Sequence, residues 1–385
     1  MKAVVAMDSF KESISSMQAG EAVRRGILSA FPDAEVIVLP LADGGEGTVD
    51  ALTTGLGGEL IQIPVTGPLG TPVEASYGVI PSLGLAVMEM MQASGLGLVP
   101  PEQRNPLNTT TYGVGELIRD ALDRGYREFI MGLGGSATND AGLGMLSALG
   151  YRFLRADGQS AGYYGRDVAT VSAVDASQAD PRLAECVFRL ACDVTNPLCG
   201  PNGASVIYGP QKGATPALVE ELDAALGSFA QVVKAATGKD VALLPGAGAA
   251  GGLGFGFSAF LTVELKRGVE VVLQAVGLEE AAVGADYVVT GEGRLDHQTA
   301  MGKTPVGVAA VAKRHGAVVI ALSGSASHSA VACNDHGIDA YFPILNAPMT
   351  LSEAMAFDTA STNLEATARQ AFLLARAVAN RAGGR

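Results

Sequence analysis

The chain opens with an apolar, β-branched stretch at residues 2–7, followed by residues 15–30, whose apolar side chains recur at helical spacing and stop before Pro32. The pattern predicts a strand and then a helix. Residues 35–39 repeat the strand signal, and Asp43-Gly44-Gly45-Glu46-Gly47 turns the chain into a second helix. This alternation marks a parallel α/β unit. From residue 59 to 89 the style changes to short alternating runs (61–63, 73–75 and 85–87) punctuated by Gly and Pro, which predict antiparallel strands.

Residues 113–124 read as a helix and 128–133 as a strand, after which Gly134-Gly135-Ser136 opens a helix over 140–149. A short strand at 188–192 ends at Asp193, and a long amphipathic helix at 217–236 ends at Gly238. The opening style then returns, with strands at 285–290 and 318–322 and helices at 305–315 and 364–379. The expectation is an α/β protein of two domains: a discontinuous Rossmann- or flavodoxin-like parallel-sheet domain from residues 1–65 and 285–385, and an inserted mixed α/β domain from 66–284. No repeat of fixed period is visible.

Length supports that division, since 385 residues exceed what one hydrophobic core ordinarily organises. Net charge is −13, and charged residues make up only 17%, so the chain lacks the basic stripe a nucleic-acid partner requires. Cys186, Cys192, Cys199 and Cys333 show no CxxC spacing, which argues against a zinc site or disulfide framework. Met1 is followed directly by Lys2 and a strand, and no apolar run approaches membrane-spanning length, so a soluble, cytoplasmic protein is expected.

Six segments share one design, a strand end followed by a turn carrying Gly or small residues with an acid, amide or hydroxyl. They are Met7-Asp8-Ser9-Phe10-Lys11, Asp43-Gly44-Gly45-Glu46-Gly47, Gly134-Gly135-Ser136-Ala137-Thr138-Asn139-Asp140, Asp193-Val194-Thr195-Asn196, Gly291-Glu292-Gly293-Arg294-Leu295-Asp296 and Ser323-Gly324-Ser325. Taken singly, each is most simply a β–α turn with a polar helix cap. Six in one chain point instead to ligands held outside the carboxyl ends of strands. Carboxylates at Asp8, Asp43, Asp193 and Asp296 beside such glycines suit Mg²⁺-assisted phosphoryl transfer, which relies on positioning and charge neutralisation. Lys11, Lys212, Arg294 and Lys303 are the cations set in or beside these loops.

Other chemistries match less well. Gly246-Ala247-Gly248-Ala249-Ala250-Gly251 and Gly132-Leu133-Gly134-Gly135-Ser136-Ala137 fit dinucleotide fingerprints, but the first lacks a clean helix start and the second is crowded by polar residues. A nicotinamide-linked dehydrogenase therefore stays as the alternative enzyme, and a sugar-acid binding protein as the non-catalytic one. Gly302-Lys303-Thr304 ends like a P-loop, but His297 occupies the required upstream glycine position. No G-x-S-x-G elbow is present, and His297 is the one histidine inside a glycine-acid loop.

The segments Asp8-Ser9-Phe10-Lys11-Glu12-Ser13, Ala42-Asp43-Gly44-Gly45-Glu46-Gly47-Thr48, Gly134-Gly135-Ser136-Ala137-Thr138-Asn139-Asp140, Cys192-Asp193-Val194-Thr195-Asn196-Pro197-Leu198, Gly209-Pro210-Gln211-Lys212-Gly213-Ala214 and Thr290-Gly291-Glu292-Gly293-Arg294-Leu295-Asp296 resemble the type-1 glycerate kinases of bacteria, in order, from Met1 to about residue 380. The resemblance implies Mg²⁺- and ATP-dependent phosphorylation of D-glycerate, giving 2-phosphoglycerate, in an interdomain cleft of a monomer or homodimer. It places Ser9, Asp43, Gly44, Gly45 and Asn196 at the substrate, with Lys11 and Arg294 on anionic oxygens. It implies Asp43 and Asp296 for Mg²⁺, and Gly134, Gly135, Ser136 and Lys212 for ATP. For the general base it suggests Asp193 first and Asp296 second. Glu12 departs from the pattern, since many relatives carry Gly there.

Overall fold

The computed structural model describes residues 1–45 and 47–382; Glu46, part of the second glycine loop, lies outside them. In chain order the strands are β1 (Lys2–Met7), β2 (Glu35–Pro40), β3 (Glu59–Thr66), β4 (Pro72–Ile80), β5 (Leu85–Glu89), β6 (Glu128–Gly132), β7 (Arg152–Leu154), β8 (Ala173–Asp175), β9 (Val187–Ala191), β10 (Val263–Lys266), β11 (Tyr287–Leu295), β12 (Val318–Ala326) and β13 (Ala340–Pro343). The chain forms two compact units, one of residues 1–43, 54–56 and 269 onward, the other of 44–53 and 57–268. The class is mixed α/β, with one parallel sheet, one mixed sheet and the antiparallel pair β7-β8.

In the first unit the strand order is β13-β12-β11-β1-β2, and every pairing is parallel. Ala3 to Met7 are all buried, as a parallel sheet covered on both faces requires. Ala3, Val5 and Met7 join Ala19, Val23 and Ile27 of the helix Ser16–Ala30, and Leu364, Ala368 and Phe372 of the helix Phe357–Ala382, in one core. Ser15 starts the first helix with a capping box, exchanging bonds with Gln18. The Ser16 hydroxyl donates to Met7 O and accepts from Leu41 N, both at 2.7 Å, which fixes the segments leaving β1 and β2.

Strand β11 runs further than its sequence pattern predicts. Gly291 to Leu295, expected as a loop, continue the strand, with Glu292 opposite Ser323 and Arg294 opposite Ser325. Close approach explains the glycine, since a Cβ at Gly291 would lie 1.8 Å from Leu322 O. Glu292 and Arg294 are thereby carried on a paired strand and not on a free turn.

The second unit has the strand order β10-β9-β6-β5-β4-β3, antiparallel across β3, β4 and β5 and parallel elsewhere. Its core holds Phe129 stacked on Phe188 at 4.6 Å, with Phe257 alongside. The helix Pro216–Thr237 buries Leu222, Leu226, Phe229 and Val233 and ends at Gly238 in the left-handed conformation. Residues 59–65, read from sequence with the first domain, lie in β3, which pairs with β4 in this unit. Residues 269–282, read with the insertion, are helical and belong to the first unit. Among the described residues no helix is long and apolar enough to cross a membrane.

Candidate functional site

A cavity of about 550 Å³ lies in the first unit, at the carboxyl ends of its strands. Ser9, Lys11, Asp43, Arg294 and Asp296 line it, together with Asp8, Glu292, Lys303, Thr304 and Ser325. Ile344, Leu345, Leu351 and Met355 supply an apolar wall. Lys11, Arg294 and Lys303 are exposed, so their charges remain hydrated and adaptable. Asp8 is fixed by Ser9 N at 2.7 Å and by the Thr304 hydroxyl at 2.8 Å. Burial, reinforced by the charge of Asp43, outweighs those bonds and raises the Asp8 pKa above its ordinary value.

Asp296 caps the short helix His297–Ala300, accepting from Gln298 N at 2.9 Å, and its other oxygen lies 3.5 Å from Arg294 Nε. Glu292 accepts a hydrogen bond on Oε1 from the Thr299 hydroxyl at 2.5 Å. Burial is the largest cause that pushes its pKa up, to about 7, against the pull of Lys303 and with help from Asp8 and Asp296. His297 is exposed, donates its amide to Ser329 and does not line this cavity.

A second cavity, of about 420 Å³, belongs to the second unit and is lined by Gly44, Gly45, Gly134, Gly135, Ser136, Asp193 and Lys212, with Tyr208 and Gln211. Lys212 is only 2% exposed, and its ammonium donates to Ser136 Oγ at 2.7 Å and to Thr138 O at 2.6 Å. That leaves one of its three donors for a ligand. Burial lowers its pKa to about 7, opposed by the nearby carboxylate Asp140. A Cβ at Gly134 would meet no protein atom within 4 Å, so packing does not demand glycine there and the bare backbone stays open to a ligand. Asp193 is exposed and accepts from Gly268 N at 3.0 Å. Asn196 does not line the cavity, because its side chain is held by Asn202 O and the Tyr208 hydroxyl.

Two helix N-termini that the sequence pattern would offer to phosphate are filled by the chain itself. The helix expected from residue 140 starts at Leu143, and the fully buried Asp140 accepts from Thr111 N, Thr111 Oγ1, Gly142 N and Gly144 N at 2.8–3.3 Å. Glu89, at the end of β5, accepts from Val49 N at 3.1 Å and also takes the amides of Gly47 and Thr48, at the start of the helix Thr48–Gly55. Glu89 is not legible in the sequence because nothing local marks a strand residue as the cap of a distant helix. Glu292 lies within one of the glycine-acid segments, but its raised proton affinity depends on its buried neighbours.

The dinucleotide-like run ending at Gly251 serves packing. Ala250, Gly251 and Gly252 all have positive φ, and a Cβ on Gly251 would fall 1.9 Å from Thr138 O, so the run makes a buried kink in place of a cofactor turn. For a metal, no group of three His, Cys, Asp or Glu side chains is arranged to hold an ion among the described residues. Mg²⁺ needs only one or two carboxylates when nucleotide phosphates complete its shell. Asp43 and Asp296 line one cavity and fit that requirement.

The model of the glycerate kinase family matches residues 3–376. A glycerate kinase of Halalkalibacterium halodurans is 51% identical, over 91% of this chain and 93% of its own. The glycerate 2-kinase of Escherichia coli K12 is 49% identical over 95% and 98%. A crystal structure from Salmonella typhimurium LT2, assigned as glycerate kinase 2, superposes with a TM-score of 0.90 at 46% identity, covering 99% of both chains.

Proposed function

The chain belongs to the glycerate kinase family, and from that premise we propose that it transfers the γ-phosphoryl group of ATP, as its Mg²⁺ complex, to a hydroxyl of D-glycerate, giving 2-phosphoglycerate. The observation that carries this reading is the cavity of the first unit, where Lys11, Arg294 and Lys303 border a floor of carboxylates. A small hydroxy-acid needs such a pairing, with cations for its carboxylate and acceptors for its hydroxyls. Lys11 and Arg294 hold anionic oxygens in this reading, and Ser9 bonds a hydroxyl.

The nucleotide phosphates are assigned to the Gly134-Gly135-Ser136 loop, where Lys212 presents its remaining donor. Asp43 and Asp296 would hold Mg²⁺, which would supply charge neutralisation at the phosphate oxygens. Catalysis then consists of setting the hydroxyl oxygen in line with the γ-phosphorus and stabilising the charge on the phosphoryl oxygens.

Incubation of the purified protein with MgATP and D-glycerate should release ADP, and phosphorus NMR of the product should show the 2-phosphate. A 3-phosphate product would correct the regiochemistry. Failure to form ADP with any of several hydroxy-acids, from protein shown to be folded, would refute the reading.

A further inference from the structure

A carboxylate oxygen that no protein donor occupies is the one best placed to take a proton from substrate. Asp8 has both oxygens engaged, one by Ser9 N and the other by Thr304 Oγ1. Asp296 spends one oxygen on capping a helix and turns the other toward Arg294. Asp193, suggested by the family resemblance, lines the cavity of the second unit, and it is exposed and bound to Gly268 N. Glu292 differs from these three. Its Oε1 is held by Thr299, which itself is locked as the partner of Asp296 N, while no protein donor is seen on Oε2 among the described residues. Strand pairing on β11 and this single hydrogen bond orient the carboxyl group without consuming it.

From these contacts the geometry points to Glu292 as the catalytic base that takes the proton from the glycerate hydroxyl. The assignment rests on the functional reading above. In the step, the hydroxyl oxygen forms a bond to the γ-phosphorus as the bond from that phosphorus to the β–γ bridging oxygen breaks. ADP leaves with the bond's electron pair, and the hydroxyl proton passes to Glu292 Oε2 and then to solvent. The groups around Glu292 suit that role. Asp8 and Asp296 raise its proton affinity, Lys303 restrains it, and the Cys333 thiol stands close by. A carboxyl with a pKa of about 7 is ionised enough to accept a proton at neutral pH and basic enough to hold it. Asp193 has no comparable burial.

The test compares wild type, Glu292→Gln and Glu292→Asp for kcat, KM, melting temperature and the thermal shift produced by D-glycerate. Wild-type kcat/KM should rise with pH through about 7 and then level. Glu292→Gln should lose about 100-fold or more in kcat and lose that rise, with the glycerate-induced shift retained. Glu292→Asp should recover part of the rate. Near-normal kcat in Glu292→Gln overturns the assignment and leaves the kinase reading standing. Loss of the glycerate shift and of the melting temperature together also overturns it, since that marks a structural or binding role. A wild type inert toward glycerate overturns the functional reading and this inference with it.

Discussion

Glu12 sits at φ +62°, in the left-handed region, within the tight turn where Phe10 and Ile14 bridge. A side chain at that φ costs roughly 1–2 kcal/mol, a strain that glycine would relieve. Glu12→Gly should therefore hold or raise stability by up to about 1 kcal/mol, the relieved strain being partly offset by chain entropy. Glu12→Val should lower it, and urea unfolding of both variants measures the difference. Lys212 offers a sharper residue-scale test. The folded protein releases this proton near pH 7, whereas the unfolded chain holds it to about 10.5. Between those values the unfolded state binds more protons, so stability rises with pH. Below pH 7 that gain is absent. Relative to Lys212→Met, the wild type should gain up to about 1.4 kcal/mol per pH unit as pH is raised from 7 to 9. An equal pH dependence in both proteins would contradict a desolvated lysine.

At the scale of elements, the regular α/β alternation was legible because parallel strands buried on both faces and amphipathic helices carry strong local patterns, as β1 and the helix Pro216–Thr237 show. What escaped was set by distant partners. Residues 263–266 become β10 because β9 offers them an edge, and β11 extends past Thr290 because β12 runs beside it. The candidate site was legible in the same uneven way. Loop residues such as Lys11, Asp43 and Gly134 stood out by composition, whereas Glu89 and Asp140 act through amides that folding alone brings to them. Asp140 replaces the missing carbonyls ahead of the helix Leu143–Ala148 and ties Thr111 to it. Asp140→Ala removes four acceptor contacts in a dry setting and leaves their donors unsatisfied. It should cost about 3 kcal/mol or more, read as a lowered urea midpoint with an unchanged slope.

At the scale of the whole molecule, the described residues include a hydrophobic core in each unit. One is built around β1, Val23, Leu364 and Phe372, the other around Phe129, Phe188, Phe229 and Phe257. Chains with more than one core commonly depart from two-state unfolding, since each core can melt as its own cooperative unit. Differential scanning calorimetry should then give a calorimetric enthalpy larger than the van't Hoff value. Substitution assigns the transitions. Leu364→Ala creates a cavity in the first core and Phe229→Ala in the second; each should cost about 2–5 kcal/mol in its own unit. Each should lower one transition and leave the other near its wild-type temperature. D-glycerate, assigned to the cavity of the first unit, should raise the transition that Leu364→Ala lowers, by an amount that grows with the logarithm of its concentration. If both substitutions shift one common transition, the two cores unfold as a single cooperative system and the separation fails. If glycerate instead raises the transition lowered by Phe229→Ala, its assignment belongs with Lys212 and the Gly134 loop, and the roles of the two cavities exchange.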